Sequence, residues 1–279
     1  MRDLAHDAII VLNGEDVITY RTAPSIPLKV LVAEDHPINR AVVAEILRAR
    51  GHSFSLAANG KEAIALWERM SFDMILMDGQ MPEMDGYEAT REIRRREQGT
   101  GRHIRIIALT ASVMQEDRAM CLAAGMDGYI AKPIDSDELL RYLEPADRPS
   151  PASDTARPSE PAGARFVHFD LGQAQARSRG KAALLRKMIH MFIADLPGVL
   201  DAVQAGVDAM DATAIERAAH RLNGAAATLG AQTLADACGV LEMQGRQAQF
   251  VPMAPALAEV RRLADALRRE LMTFLGEQQ

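Results

Sequence analysis

The stretch DMILM at residues 73–77 is a short apolar run, and the acid Asp78 follows it directly. Similar runs lie on either side of it in the chain, namely KVLVA (29–33), SFSLA (53–57), RIIAL (105–109) and GYIA (128–131). Amphipathic helical patterns such as INRAVVAEILRARG separate these runs. Strands that alternate with helices predict an α/β domain, with a parallel sheet and helices on both of its faces.

Residues with reactive side chains follow these predicted strands. Ligands of such a fold bind beyond the carboxyl ends of the strands, so side chains at these ends are expected to meet at one edge of the sheet. They are Glu34 and Asp35 after the first strand, Asp78 after the third, Thr110 after the fourth and Lys132 after the fifth.

This set of three carboxylates, one hydroxyl and one ammonium indicates phosphoryl chemistry. Carboxylates packed together repel one another unless a cation lies among them, and hard oxygen ligands suit Mg²⁺. A carboxylate can act as nucleophile toward a phosphoryl group, whose charge the metal and the lysine would offset. Taken singly, an acidic pair after a strand is usually a turn, and Thr110 could cap a helix. The combination favours a phosphoryl-accepting site.

A linker divides the chain. Residues 145–164, PADRPSPASDTARPSEPAGA, are rich in proline and offer almost nothing to bury, which is typical of an extended connection. We therefore predict an α/β domain at 28–144, this linker, and a second domain at 165–279. The extension at 1–27 is too short for a catalytic domain and has no assigned role.

The second domain shows helical patterns alone, and its short loops favour an antiparallel, all-α four-helix bundle. One of these helices contains AAHRLNGAAATLGA (218–231), in which Leu222 and Leu229 mark the buried stripe. His220 lies about 200° around the helix from Leu222. We therefore expect His220 to be exposed, with Gly224 leaving space beside it on the same face.

An exposed histidine on a helix has two interpretations. By itself it is most simply a solvated surface side chain, and a metal site is disfavoured because no second His or Cys lies four residues on. A neutral imidazole is also a nucleophile. Beside a phosphoryl-accepting domain, His220 becomes a candidate phosphoryl acceptor.

Both domains resemble known families. The segments VLVAEDHPINR, MILMDGQMPEMDGYEATREIR, IIALTA and DGYIAKPI make residues 28–144 similar to the receiver domain of two-component response regulators. AHRLNGAAATLGA makes the region from about 170 to 279 similar to histidine-phosphotransfer (Hpt) domains. The first resemblance implies a flavodoxin-like sheet of strand order 2-1-3-4-5, and the second a four-helix bundle.

The resemblance to receivers implies roles for a set of site residues. It aligns Asp78 with the phosphoacceptor, Glu34 and Asp35 with the acidic pair that binds Mg²⁺, the backbone carbonyl of Gln80 with a further metal ligand, Lys132 with the phosphate-binding lysine, and Thr110 and Tyr129 with the switch hydroxyl and aromatic.

The resemblance to Hpt domains aligns His220 with the phosphorylated histidine. It places Asn223, Gly224 and Arg217 around the phosphoryl group, but Asn223 stands where the family usually has lysine. An asparagine can donate a hydrogen bond but carries no charge. Arg217 or Arg221 could supply the charge, although we expect Arg221 to point sideways from this face.

Together these features predict a phosphorelay intermediate. Asp78 would accept a phosphoryl group from the phosphohistidine of a sensor histidine kinase and pass it to His220, which would donate it to a downstream response-regulator receiver. We recognise no ATP-binding region, so the kinase core would lie on another chain or in a hybrid histidine kinase. The alternative is an adaptor in which phosphorylation of the receiver changes the contacts of the Hpt domain without turnover of His220.

Composition limits the other classes of function. The formal net charge of −6 gives no electrostatic reason to expect nucleic-acid binding. No apolar run approaches the roughly 18 residues that a membrane helix needs. Cys121 and Cys238 are isolated, without metal-ligand spacing. We expect a cytoplasmic setting, either for a cytoplasmic protein or for the cytoplasmic end of a longer membrane protein.

Overall fold

A computed structural model describes residues 27–110, 115–143, 166–248, 250 and 253–276. The predicted linker at 145–164 and almost all of the N-terminal extension lie outside these residues. The described chain forms an α/β domain followed by a helical bundle.

The α/β domain has a five-stranded, all-parallel sheet in the order β2-β1-β3-β4-β5, which confirms the predicted order. Its elements, in chain order, are β1 (Lys29–Ala33), α1 (Pro37–Ala49), β2 (Ser53–Ala57), α2 (Gly60–Arg69), β3 (Met74–Asp78), α3 (Gly86–Glu97), β4 (Arg105–Thr110), α4 (Gln115–Ala124), β5 (Gly128–Ala131) and α5 (Ser136–Leu143). Asp78 and Thr110 are therefore the last residues of their strands rather than the residues after them.

Successive side chains of the central strands point to opposite faces of the sheet and pack in separate cores. Val30 and Val32 of β1 pack in the core beneath α1 and α5, whereas Leu31 and Ala33 pack in the core with α2 and α3. All four are fully buried. Strands that are apolar on both faces must be covered on both, which explains the continuous apolar runs in the sequence.

Capping side chains stabilise the first turns of the helices that flank the carboxyl edge of the sheet. The His36 side chain caps α1 by accepting a hydrogen bond from the Ile38 amide. Asp85 and Glu88 form a capping box at the start of α3. Gly86 follows at once, and a Cβ atom there would lie 2.0 Å from the carbonyl oxygen of Asp78. Only glycine lets α3 begin so close to the end of β3.

The C-terminal region is the predicted four-helix bundle with one short helix before it. Its elements are α6 (Leu171–Arg177), α7 (Ala182–Ala209), α8 (Ala212–Thr228), α9 (Gln232–Arg246) and α10 (Met253–Leu275). Helix α7 packs against α8 and α10, and α9 packs against the same two helices. The Asp211 side chain caps α8 by accepting from the Ala214 amide. None of the helices described is long and apolar enough to cross a membrane.

The bundle packs against the α/β domain through α7 and α8, which contact α1. The Thr228 hydroxyl donates to Oδ1 of Asn39 at 2.8 Å, in a buried hydrogen bond between residues 189 positions apart. At the periphery, Lys181 forms an ion pair with Glu45. Helix α8, which carries His220, therefore lies over the carboxyl edge of the sheet.

Candidate functional site

Three carboxylates meet at the carboxyl edge of the sheet. Glu34, Asp35 and Asp78 each offer an oxygen, and these oxygens lie within 4.8 Å of one another. The first two follow β1 and the third ends β3, and these strands are neighbours in the sheet. Glu34 and Asp78 are buried, and Asp35 is partly exposed.

Lys132, directly after β5, reaches across to two of the carboxylates. Its Nζ atom lies 2.6 Å from Oδ2 of Asp78 and 2.9 Å from Oε2 of Glu34. The other oxygen of Glu34 accepts from Nδ2 of Asn39 and from the backbone amide of His36, both at 3.1 Å. No hydrogen bond from another described residue reaches Asp35, so its oxygens can serve a metal.

The pocket carries more negative charge than Lys132 offsets. Burial and the Glu34 carboxylate raise the pKa of Asp78 to about 7, and the same two causes raise the pKa of Asp35. Burial also favours the neutral form of Glu34, but Lys132 outweighs it and lowers the pKa of that carboxyl. A divalent cation would relieve this repulsion, and carboxylate oxygens are the ligands that Mg²⁺ prefers. The residues present therefore fit the predicted metal.

The remaining predicted receiver positions lie on β4, on β5 and just after β3. Thr110 is buried at the end of β4, beside the strand of Asp78. Tyr129 in β5 is half-buried, with the Arg118 guanidinium 5.7 Å from the centre of its ring. The backbone amide of Gln80 donates to Oδ1 of Asp78 at 3.2 Å. A metal contact through the Gln80 carbonyl stays a prediction.

His220 is buried, so the expectation that it is exposed is wrong in this arrangement. Its exposed fraction is 8%. It does lie off the core stripe marked by Leu222, but the α/β domain covers the face on which it lies. Gly224, one turn further along, adjoins the same domain, since a Cβ there would lie 3.5 Å from Nδ2 of Asn39. The α/β domain thus adjoins the face of α8 that carries Gly224.

Glu242 of α9 orients the imidazole. Nδ1 of His220 lies 3.0 Å from Oε1 of Glu242. With the Nδ1 proton donated to this carboxylate, Nε2 keeps its lone pair and is the nucleophilic nitrogen. Burial lowers the pKa of His220, but the hydrogen bond and charge of Glu242 outweigh burial and raise it above its ordinary value.

Glu242 was not predicted from the sequence, and Asn223 contacts it. Nδ2 of Asn223 lies 3.3 Å from Oε2 of Glu242, and Arg246 lies 3.3 Å from the other oxygen. Asn223 therefore helps to hold the carboxylate that orients His220. A glutamate in an amphipathic helix gives no signal of such a role, because its partner lies on a different helix.

The two domains meet around a cavity of about 300 Å³ that both of them line. Asp35 and Gln80 line it from one side, and Arg217, His220 and Arg221 from the other. Nε2 of Gln80 also donates across the boundary to Glu216 at 3.3 Å. The structure thus brings Asp35 and Gln80 of one domain to the same cavity as Arg217, His220 and Arg221 of the other.

Comparison with known families agrees with this architecture. Residues 30–144 match the model of the response regulator receiver domain, and residues 187–270 match the model of the Hpt domain. The chain contains a receiver domain followed by an Hpt domain. The Hpt match spans α8, which carries His220, and α9, which carries Glu242.

Curated relatives are similar to this pair of domains over part of their length. Virulence sensor protein BvgS of Bordetella bronchiseptica is 32% identical over 91% of this chain and 21% of its own length. Sensor histidine kinase GacS of Pseudomonas protegens is 32% identical over 80% of this chain and 26% of its own length. The chain thus spans about a fifth to a quarter of the length of these relatives.

Solved structures match single parts of the chain. The receiver domain of a sensor histidine kinase from Pseudomonas aeruginosa, crystallised with a magnesium ion in its active-site cleft, is 47% identical. The match covers 42% of this chain and 95% of that one, with a TM-score of 0.39. One chain in the co-crystal structure of the Saccharomyces cerevisiae phosphotransfer protein Ypd1 with the receiver domain of Ssk1 is 34% identical. The match covers 44% of this chain and 89% of that one, with a TM-score of 0.40.

Proposed function

We propose that this chain is a phosphorelay intermediate in which Asp78 accepts a phosphoryl group and passes it to His220. The observation that carries the proposal is the meeting of the two domains. His220 faces the acidic pocket closely enough for its charge to oppose the rise in the pKa of Asp78. Both residues are buried at this boundary, so transfer would take place away from bulk water.

In the first step, an oxygen of Asp78 attacks the phosphorus of a phosphohistidine on a kinase. The new P–O bond forms as the P–N bond breaks, and the imidazole of the kinase leaves. Lys132, hydrogen-bonded to the carboxylate, offsets the charge of the phosphoryl oxygens. Glu34, Asp35 and Asp78 would hold Mg²⁺, which supplies further charge neutralisation when bound.

In the second step, Nε2 of His220 attacks the phosphorus of the aspartyl phosphate. A P–N bond forms, the P–O bond to Asp78 breaks, and the carboxylate of Asp78 is released. The imidazole becomes positively charged, with its remaining proton on Nδ1. Glu242 accepts the hydrogen bond of this proton and stabilises that charge. Glu242 is thus the residue that makes a neutral, correctly oriented histidine a good acceptor.

The proposal implies two partners and an opening step. The donor is a sensor histidine kinase, on another chain or elsewhere in a longer protein, and the final acceptor is a separate receiver. The kinase must reach Asp78, which is buried at the same boundary, and the final receiver must reach the face of His220 that the chain's own receiver covers. The Hpt domain therefore has to undock before the first transfer and again before the last. We also propose that the domains extend over 28–144 and 165–279, with 145–164 joining them.

Phosphate mapping tests the function directly. A small acyl phosphate with Mg²⁺ is expected to label Asp78 of the wild-type chain first, as an alkali-labile acyl phosphate, and His220 afterwards, as acid-labile phosphate. Mass spectrometry identifies the labelled residue in each case. His220→Gln should keep the label on Asp78, and Asp78→Asn should lose both labels. The adaptor alternative predicts label on Asp78 and none on His220, and that result would contradict the relay.

The Glu242 carboxylate is expected to set the pH dependence of transfer. Protonated His220 cannot attack, so the transfer rate rises with pH through the pKa of His220, which Glu242 holds above its ordinary value of 6.5. Glu242→Gln keeps the shape but removes the charge. In this variant we expect the midpoint of the curve of transfer rate against pH to move to lower pH. We also expect the transfer rate above pH 8 to fall by roughly 10-fold or more.

Transient kinetics of transfer within the chain, recorded between pH 5.5 and 9, measures this effect. Glu259→Gln, which removes the same charge from exposed α10, provides the control. A Glu242→Gln profile that superimposes on the profile of the control would show that Glu242 does not act on His220.

A further inference from the structure

The cavity between the two domains carries polar and charged side chains on both of its walls. Asp35 and Gln80 line it from the receiver, and His220 and Arg221 from the Hpt domain. Two buried atoms of these side chains, Oε1 of Gln80 and Nε of Arg221, have no hydrogen-bond partner among the described residues. Buried polar atoms are normally satisfied, and the two side chains that carry these atoms also line the cavity.

Among the described residues, Asp195 of α7 is the anchor that holds Arg221 in this wall. One of its nitrogens, Nη2, lies 2.8 Å and 3.0 Å from the two carboxylate oxygens of Asp195 on α7. The side chain therefore does reach sideways to α7, as the sequence suggested, and it also faces the receiver. Burial and Glu34 raise the pKa of Asp35, and the positive charges of Lys132 and Arg221 oppose that rise.

The charges around His220 explain why a cation is needed on this side. During transfer the phosphoryl group leaves Asp78, whose counter-ion is Lys132, and approaches an imidazole backed by Glu242. Each step toward His220 thus moves negative charge away from one cation and toward a carboxylate. An arginine can follow this movement, because its guanidinium binds phosphoryl oxygens through several N–H groups.

We propose that Arg221, anchored by Asp195, contacts the phosphoryl group as it passes from Asp78 to His220 and stabilises its charge. This inference rests on the proposed function, because it concerns the second step of the relay. Phosphorylation of Asp78 by an outside donor uses the receiver alone and does not need Arg221. The role of Arg221 is therefore separable from the first step.

Three variants of the full chain test this role. Arg221→Gln removes the charge, Arg221→Lys keeps it, and Arg268→Gln removes an equal charge from the exposed face of α10. Each chain is labelled at Asp78 with a small acyl phosphate and Mg²⁺, and the rate at which label moves to His220 is followed by rapid quenching. Thermal unfolding of each variant reports whether the bundle is intact.

Arg221→Gln is expected to label Asp78 within twofold of wild type and to slow the transfer by about 10- to 100-fold, the usual effect of losing a charged donor to a phosphoryl group. Arg221→Lys is expected to recover most of that loss, and Arg268→Gln to show none. Transfer in Arg221→Gln at the rate of Arg268→Gln would overturn the inference, as would equal losses in the Gln and Lys variants. Absence of label on His220 in the wild-type chain would overturn the proposed function as well.

Discussion

Chelation of divalent cations with EDTA is expected to abolish phosphorylation of Asp78. Burial and the Glu34 carboxylate raise the pKa of Asp78 to about 7, so its nucleophilic form is disfavoured near neutral pH. A divalent cation beside it would lower that pKa and offset the charge of the incoming phosphoryl group. Removal of the cation takes away both effects and leaves three carboxylates and the phosphoryl oxygens facing the charges of Lys132 and Arg221. Phosphate incorporation from a small acyl phosphate, with and without EDTA, measures this loss.

Asp35→Asn tests which residue holds the cation. The Asp35 carboxylate is partly exposed and accepts no hydrogen bond from the residues described around it, unlike Glu34 and Asp78. Its loss removes one full charge from the cation site, and we expect the Mg²⁺ concentration for half-maximal labelling to rise by about tenfold or more. Asp265→Asn removes an equal charge from exposed α10 and should leave that concentration unchanged. Labelling of Asp78 that survives EDTA would contradict the metal assignment.

The acidic pocket was predictable because one rule of topology governs it. Glu34, Asp78 and Lys132 lie at the ends of β1, β3 and β5, and parallel strands bring their carboxyl ends to one edge. The alternation of apolar runs and helical patterns predicts the sheet, and the sheet then brings the side chains together. Errors of a single residue at the strand ends, as at Asp78 and Thr110, do not change this outcome.

The environment of His220 was only partly predictable. Helical periodicity correctly places it off the core stripe of α8, but periodicity reports only which face a side chain occupies. Glu242 lies 22 residues away on α9, and its contact with His220 depends on how far α8 and α9 are rotated and shifted against each other. No local pattern encodes that register. Packing of the bundle core fixes it.

The contact between the two domains is even harder to predict from local sequence patterns than the environment of His220. Asn39 joins the two halves of the site, since Nδ2 donates to Glu34 and Oδ1 accepts from Thr228 of the bundle. Each residue by itself is an ordinary polar side chain on a helix. Asn39 and Thr228 contact each other only because the two domains dock. The same docking buries His220, which the sequence predicted to be exposed.

Transfer from Asp78 to His220 is expected to occur within one chain. The receiver and the Hpt domain already meet through polar contacts, among them the Thr228–Asn39 hydrogen bond and the Lys181–Glu45 ion pair. We propose that the roughly 20 residues at 145–164 act as the tether between them, and a tether of this length gives an effective concentration that can reach the millimolar range. Two separate chains at about 1 µM should therefore exchange phosphate roughly 1000-fold more slowly than one chain does.

Mixing two variants measures the route. The His220→Gln chain can be labelled only on Asp78, and the Asp78→Asn chain can accept only on His220, so phosphate can pass only between chains. At low micromolar concentration we expect this transfer to be slow and to accelerate as the mixture is concentrated, whereas the wild-type rate should not change on dilution. A mixture as fast as wild type, and equally insensitive to dilution, would show that the two residues react across a stable assembly of chains. Such an assembly would remove the need for the chain's own Hpt domain to return to its receiver, because the neighbouring copy would supply His220.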